Sequence, residues 1–175
     1  MSLLAQVVAR LAEARVGHCL IGAAALAIHG VARSTQDDDL LVTDTMVLKP
    51  GFWGPLEPSV VRSIRGDEDD PLAGAVRLEH PEQRSVDVIV GRWAWQRDVI
   101  TRARTEQLPD LALPVAEVGD LALLKLDAAG PQDRLDVEML LAVHGEALAD
   151  AISARLSGLP AALEREWREW RRPTR

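Results

Sequence analysis

Three adjacent aspartates stand directly before an apolar run in residues 33–42, RSTQDDDLLV. The apolar residues predict a buried strand, in which side chains two positions apart share a face. Asp37 and Asp39 therefore point to one side, and Asp38 points to the other. Two carboxylates on one face at the start of a strand can share a divalent cation. Mg²⁺ prefers such oxygen ligands, together with water and phosphate oxygens.

A further carboxylate lies within a second apolar strand, SVDVIVG, residues 85–91. The valines of this segment alternate and face away from Asp87. A carboxylate embedded in such a strand is costly unless it has a partner, a metal or a catalytic role. If the two strands are neighbours, Asp37, Asp39 and Asp87 form a triad on one sheet face. Such a triad is typical of metal-assisted phosphoryl or nucleotidyl transfer.

Each of these features also has a plainer explanation. An Asp-x-Asp pair is most often a turn or a solvated strand edge, and Asp87 alone is more often a satisfied or edge residue. An EF-hand loop is excluded, because position 41 is Leu and the loop glycine is absent.

The segment before the aspartates favours a functional site over these plainer explanations. A short strand, HCLI, ends at Ile21, Gly22 permits close backbone approach, and a helix of small residues begins. Free N–H groups at a helix N-terminus suit a phosphate. Strand, turn, helix and Asp-x-Asp strand would then bring a triphosphate and a metal together. Taken alone, the small residues favour tight helix packing instead.

Periodicity and turn residues predict the elements that position these residues. Residues 43–72 have a weak pattern and are predicted to form a long loop with a short helix or strand inside it. The other elements predicted for the first two thirds are a helix capped by Ser2, a strand at 18–21, a helix at 22–30, a strand at 39–42, a hairpin of 75–79 and 85–91, and a helix with Trp93, Val99 and Ile100.

The last third is predicted to be helical, in segments bounded by Gly or Pro. These segments are 117–130, 131–145, 146–158 and 160–170. The pattern predicts an α+β fold, with a small mixed β-sheet, flanking helices and a helical C-terminal part. Residues 1–110 would form the α/β core, and residues 111–175 would pack on it within one compact domain.

Composition excludes several classes of protein. The chain has 175 residues, of which 47% are hydrophobic and 27% charged, as in one globular domain with a buried core. No membrane-spanning run or signal peptide is apparent, so no membrane partner is expected. The single cysteine suits the reducing cytoplasm. The net charge of −7 disfavours nucleic-acid binding by the surface as a whole. The basic C-terminal stretch, REWREWRRPTR, favours a solvated terminal helix.

The ordered motifs resemble the DNA polymerase β-like nucleotidyltransferase superfamily, in particular its small prokaryotic branch of minimal nucleotidyltransferases and abortive-infection toxins. IGAAALAIHGVARSTQDDDLLV is similar to that branch's Gly-Gly or Gly-Ser helix, His-Gly, Arg-x-Thr and Asp-x-Asp signature. SVDVIVG resembles its third-carboxylate strand, and DLALLKLDAAGPQDRLDVEMLL resembles its Lys helix and Asp-x-x-Asp helix. The similarity covers residues 18–42, 75–103 and 117–141, in the family's order.

The resemblance implies an enzyme that transfers a nucleoside monophosphate from a nucleoside triphosphate to an acceptor hydroxyl. Asp37, Asp39 and Asp87 would be catalytic and would hold one or two Mg²⁺ ions, with Asp87 as a general base. The acceptor would be the 3′ end of tRNA, as in toxin-like members, a protein, or a small hydroxylated molecule. An antitoxin protein would be a partner in the toxin-like case. The alternative is a non-catalytic nucleotide-binding or interaction module that retains the fold.

Further residues receive roles from the resemblance alone. Lys125 would contact the triphosphate, and Arg33 and Thr35 would support the site. The residues assigned to nucleotide binding are Gly22, Ala23, Lys125, Asp133 and Asp136. Judged without the family pattern, Lys125 is a solvated lysine, and the two aspartates form surface pairs or cap a helix.

Two positions depart from the family pattern. Ala23 stands where a small hydroxyl residue is frequent, which removes one side-chain donor to phosphate. Asp38 stands where an apolar residue is frequent, and it needs solvent, a capping role or a cation. Arg33 or another basic residue would supply that cation.

Overall fold

A computed structural model of the protein describes residues 1–49, 51–56, 60–67, 70–109 and 111–172. Contacts divide the chain into two compact units. The sheet unit comprises Met1–Ala25 and Ser34–Ala116, and the helical unit comprises Leu26–Arg33 and Glu117–Arg175. The C-terminal part was predicted to begin at residue 111, whereas the helical unit resumes at Glu117.

The strands of the sheet unit form one mixed sheet. In chain order, the strands within the described residues are β1 (His18–Ile21), β2 (Asp37–Val42), β3 (Val60–Arg65), β4 (Leu72–His80), β5 (Gln83–Gly91), β6 (Arg104–Gln107) and β7 (Ala112–Val115). Their order across the sheet is β3-β4-β5-β2-β1-β7-β6. β2 pairs in parallel with β5 and antiparallel with β1, so it lies in the interior of the sheet. This mixed sheet with its helices confirms the predicted fold class.

Helices accompany the sheet and make up the helical unit. Those within the described residues are α1 (Leu3–Glu13), α2 (Gly22–Ile28), α3 (Ala94–Arg102), α4 (Val118–Ala128), α5 (Pro131–Leu156) and α6 (Ala161–Trp170). α1 begins as predicted, because the Ser2 side chain accepts a hydrogen bond from the Ala5 backbone N–H. Its buried residues are Leu3, Val7 and Leu11, spaced four apart on one face.

The break within α5 agrees with the predicted helix boundary. Gly145 has φ 64° and ψ −156°, which lies outside the helical region. Only glycine adopts such backbone angles readily, so the segments before and after it are distinct helical runs. α6 buries Leu163 and, within the basic C-terminal stretch, Trp167, whereas residues 173–175 lie outside the described residues.

Three strands were not predicted individually. β3 lies in the loop region of residues 43–72, together with a 3₁₀ helix at Thr45–Leu48. β6 is exposed along its whole length, and β7 has four residues and contains Pro114, which is disfavoured within strands, so neither sequence indicates a strand. Pairing of β7 with β1, through Leu20 opposite Val115, keeps these residues in the sheet unit.

The core of the sheet unit begins immediately after the aspartates. In β2 the residues Asp37 to Asp39 are half-buried, while Leu40, Leu41 and Val42 are at most 1% exposed. The strand therefore enters the interior at Leu40, and the apolar half anchors the polar half. Among the described residues, no helix has both the length and the apolar character needed to span a bilayer.

Leu41→Ala tests this anchoring. Leu41 is 1% exposed in an interior strand, so its truncation should lower the free energy of unfolding by about 2–5 kcal/mol. Ile64→Ala, on exposed β3 where Ile64 is 72% exposed, should cost less than about 1 kcal/mol. Urea unfolding followed by circular dichroism measures both. Equal losses in the two variants would contradict the assigned burial.

Candidate active site

The three predicted carboxylates lie on adjacent strands of the sheet unit. β2 and β5 are neighbours and parallel, as the predicted triad requires, and Asp39 lies directly opposite Asp87. Asp37 is opposite Ser85, two positions earlier on the same face. The two strands therefore bring carboxylates that are far apart in the chain to one place on the sheet.

An arginine from β4 lies among these carboxylates. Arg77 is opposite Asp87 in the antiparallel β4–β5 pair. Its Nη1 atom is 2.6 Å from Asp87 Oδ2 and 3.6 Å from Asp37 Oδ2, and its Nε atom is 3.3 Å from Glu79 Oε1. Arg77 was not among the residues predicted for the site. The signal was present, because β4 alternates and the predicted hairpin places Arg77 on the same face as Asp87.

Asp37 is held by a residue that precedes its own strand. The Thr35 hydroxyl donates a hydrogen bond of 2.6 Å to Asp37 Oδ1. This hydrogen bond is the main cause that lowers the pKa of Asp37; burial opposes it, and the charge and hydrogen bond of Arg77 lower the pKa further. Thr35 thus supports the ionised form of the carboxylate.

Asp87 has the opposite tendency. Burial raises the pKa of Asp87 above its ordinary value, and the positive charge of Arg77 offsets part of that rise. Nearby negative charges on Asp37 and Glu79 raise it further. A carboxylate with a raised pKa is better suited to accept a proton than one with an ordinary pKa.

Asp39 is enclosed by the turn that begins α2. Gly22 has φ +65°, and a Cβ atom built there would lie 1.9 Å from Asp39 Oδ2. Both the backbone angle and the close approach therefore require glycine at this position. Ala23 follows with its side chain 3% exposed, so its methyl group is buried. The backbone of the turn therefore packs directly against the Asp39 carboxylate.

The donor set suits Mg²⁺, although the side chains are arranged around Arg77. Among the described residues, no three acidic, histidine or cysteine side chains are grouped as ligands of one metal ion. Asp39 and Asp87 face each other across adjacent strands, and Asp37 is close enough to Asp87 for one guanidinium nitrogen to contact both. Carboxylate oxygens are the ligand type that Mg²⁺ takes, together with water and phosphate oxygens. The residue types therefore suit the ion, and Arg77 contacts two of the three carboxylates.

Asp38 points to the opposite face, as predicted, and has a cation there. Arg84 Nη2 is 3.1 Å from Asp38 Oδ1, and the same nitrogen donates a hydrogen bond of 2.9 Å to the Asp37 backbone carbonyl. Arg84 supplies this charge. Arg33 does not, because its partner is Asp136 in the helical unit. Asp38 and Arg84 also line a cavity of about 630 Å³ in the sheet unit.

The helical unit contains a second charged cluster. Lys125 Nζ is 2.8 Å from both Asp133 Oδ1 and Asp136 Oδ2, and Arg33 Nη1 is 3.4 Å from Asp136 Oδ2. The Gln132 amide donates a further hydrogen bond of 2.9 Å to Asp136 Oδ1. The Asp136 side chain is 0% exposed, so this carboxylate depends on its partners. Asp136 is therefore not a surface residue.

Lys125 is held by this cluster and is not a solvated lysine. Its side chain is 14% exposed. Burial alone would lower the pKa of Lys125, but the hydrogen bonds to Asp133 and Asp136 outweigh burial and raise it. Asp133 also accepts a hydrogen bond of 3.1 Å from the Gly130 backbone N–H and so caps α5. The ammonium group stays charged and fixed in position.

His29 has a structural role. The His144 ring nitrogen Nε2 is 2.9 Å from the His29 carbonyl oxygen, and the two rings meet edge to face with centroids 6.3 Å apart. Packing within the helical unit therefore accounts for His29.

Comparison with known proteins identifies the architecture. The solution structure of the antibiotic-resistance factor ANT(2″)-Ia matches with a TM-score of 0.57 at 13% identity, over 95% of this chain and 96% of that one. A candidate nucleotidyltransferase from Thermotoga maritima matches with a TM-score of 0.54 at 12% identity, over 80% of this chain and 91% of that one. The chain has a nucleotidyltransferase fold.

A third solved structure has the same fold and was solved with a bound small molecule. The crystal structure of ANT(2″)-Ia in complex with adenylyl-2″-tobramycin matches with a TM-score of 0.50 at 13% identity, over 97% of this chain and 95% of that one. No protein-family model and no curated protein matches the sequence. The similarity to these solved structures therefore lies in the fold, at 12–13% sequence identity.

Gly22→Ala tests the contact between the turn and Asp39. Alanine at positive φ costs about 1–2 kcal/mol, and the clash with the carboxylate should cost about 1–3 kcal/mol more. Gly51→Ala is the matched control, because Gly51 has φ +84° and nothing lies within 4 Å of the added Cβ. Urea unfolding should show the larger loss for Gly22→Ala. A loss no greater than that of Gly51→Ala would refute the close approach.

Lys125→Met tests the buried cluster of the helical unit. Removing the ammonium leaves Asp136, which is fully buried, with incomplete charge compensation, and should lower the free energy of unfolding by roughly 3 kcal/mol. The control is Arg134→Met, which removes an exposed i,i+4 pair with Glu138 and should cost less than about 0.5 kcal/mol. Thermal and urea unfolding measure both. Similar losses would show that Lys125 does not stabilise Asp136.

Proposed function

We propose that this protein is a Mg²⁺-dependent nucleotidyltransferase, which transfers a nucleoside monophosphate from a nucleoside triphosphate to an acceptor hydroxyl. The observation that carries the proposal is the register of β2 against β5, which sets Asp39 opposite Asp87 with Asp37 on the same face. The nucleotidyltransferase fold of the chain supports it. Asp37, Asp39 and Asp87 would hold one or two Mg²⁺ ions.

The three carboxylates would have different roles in the reaction. Bound Mg²⁺ would neutralise charge on the phosphate oxygens. Asp87 would accept the proton of the acceptor hydroxyl as that oxygen forms a bond to the α-phosphorus. The bond from the α-phosphorus to the bridging oxygen breaks at the same time, and pyrophosphate leaves. The raised pKa of Asp87 supports this role for it, and Thr35 keeps Asp37 ionised.

The residues proposed to bind the nucleotide are Gly22, Ala23, Lys125, Asp133 and Asp136. Gly22 and Ala23 would approach the phosphates through their backbone, since Ala23 offers no hydroxyl group. Lys125 would contact the triphosphate, with its ammonium group aimed by Asp133 and Asp136. Arg33 would support this cluster through its contact with Asp136, and Thr35 would support the metal site.

A small hydroxylated molecule is the acceptor that we favour. ANT(2″)-Ia, which shares the fold, has been solved with adenylyl-2″-tobramycin, an adenylylated small molecule. The net charge of −7 would attract a cationic acceptor of that kind more readily than an RNA surface. Transfer to the 3′ end of tRNA or to a protein, with an antitoxin partner in the toxin-like case, rests on the sequence resemblance alone.

A non-catalytic nucleotide-binding module is the second candidate. Two observations favour it: Ala23 lacks the hydroxyl donor, and Arg77 pairs with two of the three carboxylates. Titration of nucleotide with and without Mg²⁺ separates the two functions. Tight binding without transfer to any acceptor would favour the module.

Asp39→Asn and Asp87→Asn test the enzymatic function. Each removes a charge needed for metal binding or proton transfer, so transfer from α-labelled triphosphate should fall by about 10²–10⁴-fold. The matched control is Asp38→Asn, which changes the adjacent residue of the same strand on the other face. It should retain transfer to within about threefold.

The assay first screens α-labelled triphosphates against aminoglycosides, total RNA and protein extract to find the acceptor. Circular dichroism establishes that each variant is folded. Undiminished transfer by folded Asp39→Asn or Asp87→Asn would exclude the assigned site.

A further inference from the structure

Arg77 contacts the proposed metal ligands at the position where a shared cation would bind. One guanidinium nitrogen, Nη1, is 2.6 Å from Asp87 Oδ2 and 3.6 Å from Asp37 Oδ2. We infer that Arg77 is an internal counter-ion, which neutralises these carboxylates until Mg²⁺ binds and which Mg²⁺ must displace. The inference deepens the proposed function and rests on it, because it takes Asp37 and Asp87 to be metal ligands.

Charge repulsion gives the carboxylates a need for such a cation. Asp37, Asp39 and Asp87 share one face of two neighbouring strands, and like charges a few ångströms apart oppose each other's ionisation. A positive charge between them relieves this repulsion when no metal is bound. Arg77 is well placed to supply it, because β4 lies next to β5 and sets Arg77 opposite Asp87.

The Arg77 side chain is more exposed than the carboxylates that it contacts. The Arg77 side chain is 40% exposed, compared with 34% for Asp37 and 19% for Asp87. The guanidinium group therefore reaches the carboxylates from the solvent side. Its withdrawal would leave the buried packing of β4, at Val76 and Leu78, in place.

Glu79 would remain an ion-pair partner of Arg77 after Arg77 withdraws from the aspartates. Glu79 lies two positions along β4 on the same face, and its Oε1 atom is 3.3 Å from Arg77 Nε. The guanidinium group thus already contacts Glu79 through one edge while it contacts the aspartates through another. Rotation toward Glu79 would free Asp37 and Asp87 and keep the arginine paired.

Competition follows from the electrostatics. A guanidinium group and a divalent cation that bind the same two carboxylates repel each other over a few ångströms, so both cannot be held at full strength. The apparent affinity for Mg²⁺ should then be lower than the carboxylates alone would give. A plain structural ion pair makes the contrary prediction, since its removal would destabilise the fold without strengthening Mg²⁺ binding.

The test measures Mg²⁺ binding directly, by isothermal titration calorimetry and by the shift of the melting temperature with added Mg²⁺. Arg77→Gln should bind Mg²⁺ on the order of tenfold more tightly than the unchanged protein. It should also melt at a lower temperature without Mg²⁺ and gain more on its addition. Arg134→Gln is the control, because Arg134 is a partly exposed arginine that pairs with Glu138 on α5 and not with Glu79. It should leave Mg²⁺ affinity unchanged.

Arg77→Lys covers the case in which Arg77→Gln does not fold. Lysine keeps the charge but lacks the planar fork that bridges two carboxylates. It should therefore bind Mg²⁺ more tightly than the unchanged protein and less tightly than Arg77→Gln.

The outcomes separate this inference from the proposed function. In one outcome the unchanged protein binds Mg²⁺ and Asp39→Asn abolishes this binding, but the folded Arg77 variants bind Mg²⁺ no more tightly than the unchanged protein. That outcome would overturn the counter-ion role alone. Absence of Mg²⁺ binding from both the unchanged protein and Arg77→Gln would overturn both proposals. Binding by Arg77→Gln that the unchanged protein lacks would support the counter-ion role in its strongest form.

Discussion

The parallel pairing of β2 with β5 is the constraint on which the site depends. Backbone hydrogen bonds between the strands set Asp39 opposite Asp87, and the two-residue side-chain period then places Asp37 on the same face. A slip of one residue would turn the carboxylates to the opposite face and disturb the buried residues that follow, from Leu40 onward. The packing of the core and the geometry of the site are therefore set by the same contact.

That register concentrates negative charge, and arginines of neighbouring segments balance it on both faces. Arg77 contacts Asp37 and Asp87 on one face, whereas Arg84 contacts Asp38 on the other. Both arginines are partly exposed, so holding them in place costs little desolvation. The three consecutive aspartates therefore differ in position: two face the candidate site, and the middle one forms a separate ion pair on the other face.

The parts of the fold that could be predicted from the sequence are those with strong local patterns. β5 alternates valine with other residues and pairs in a hairpin with β4, and α1 begins at a Ser2 cap. β6 and β7 could not be predicted in this way. They are short, β6 is exposed throughout, and β7 contains a proline, so their strand conformation depends on pairing with distant segments.

By itself, the sequence determined which carboxylates could act together, because strand periodicity assigns Asp37 and Asp39 to one face and sets Asp87 apart from the valines around it. Only the tertiary structure decided which cation meets each carboxylate. Arg77 reaches Asp87 through the register of β4 with β5, and Lys125 reaches Asp136 through the approach of α4 to α5. Such partners come from segments that fold against each other, and no pattern within a single segment encodes the distance between two charges.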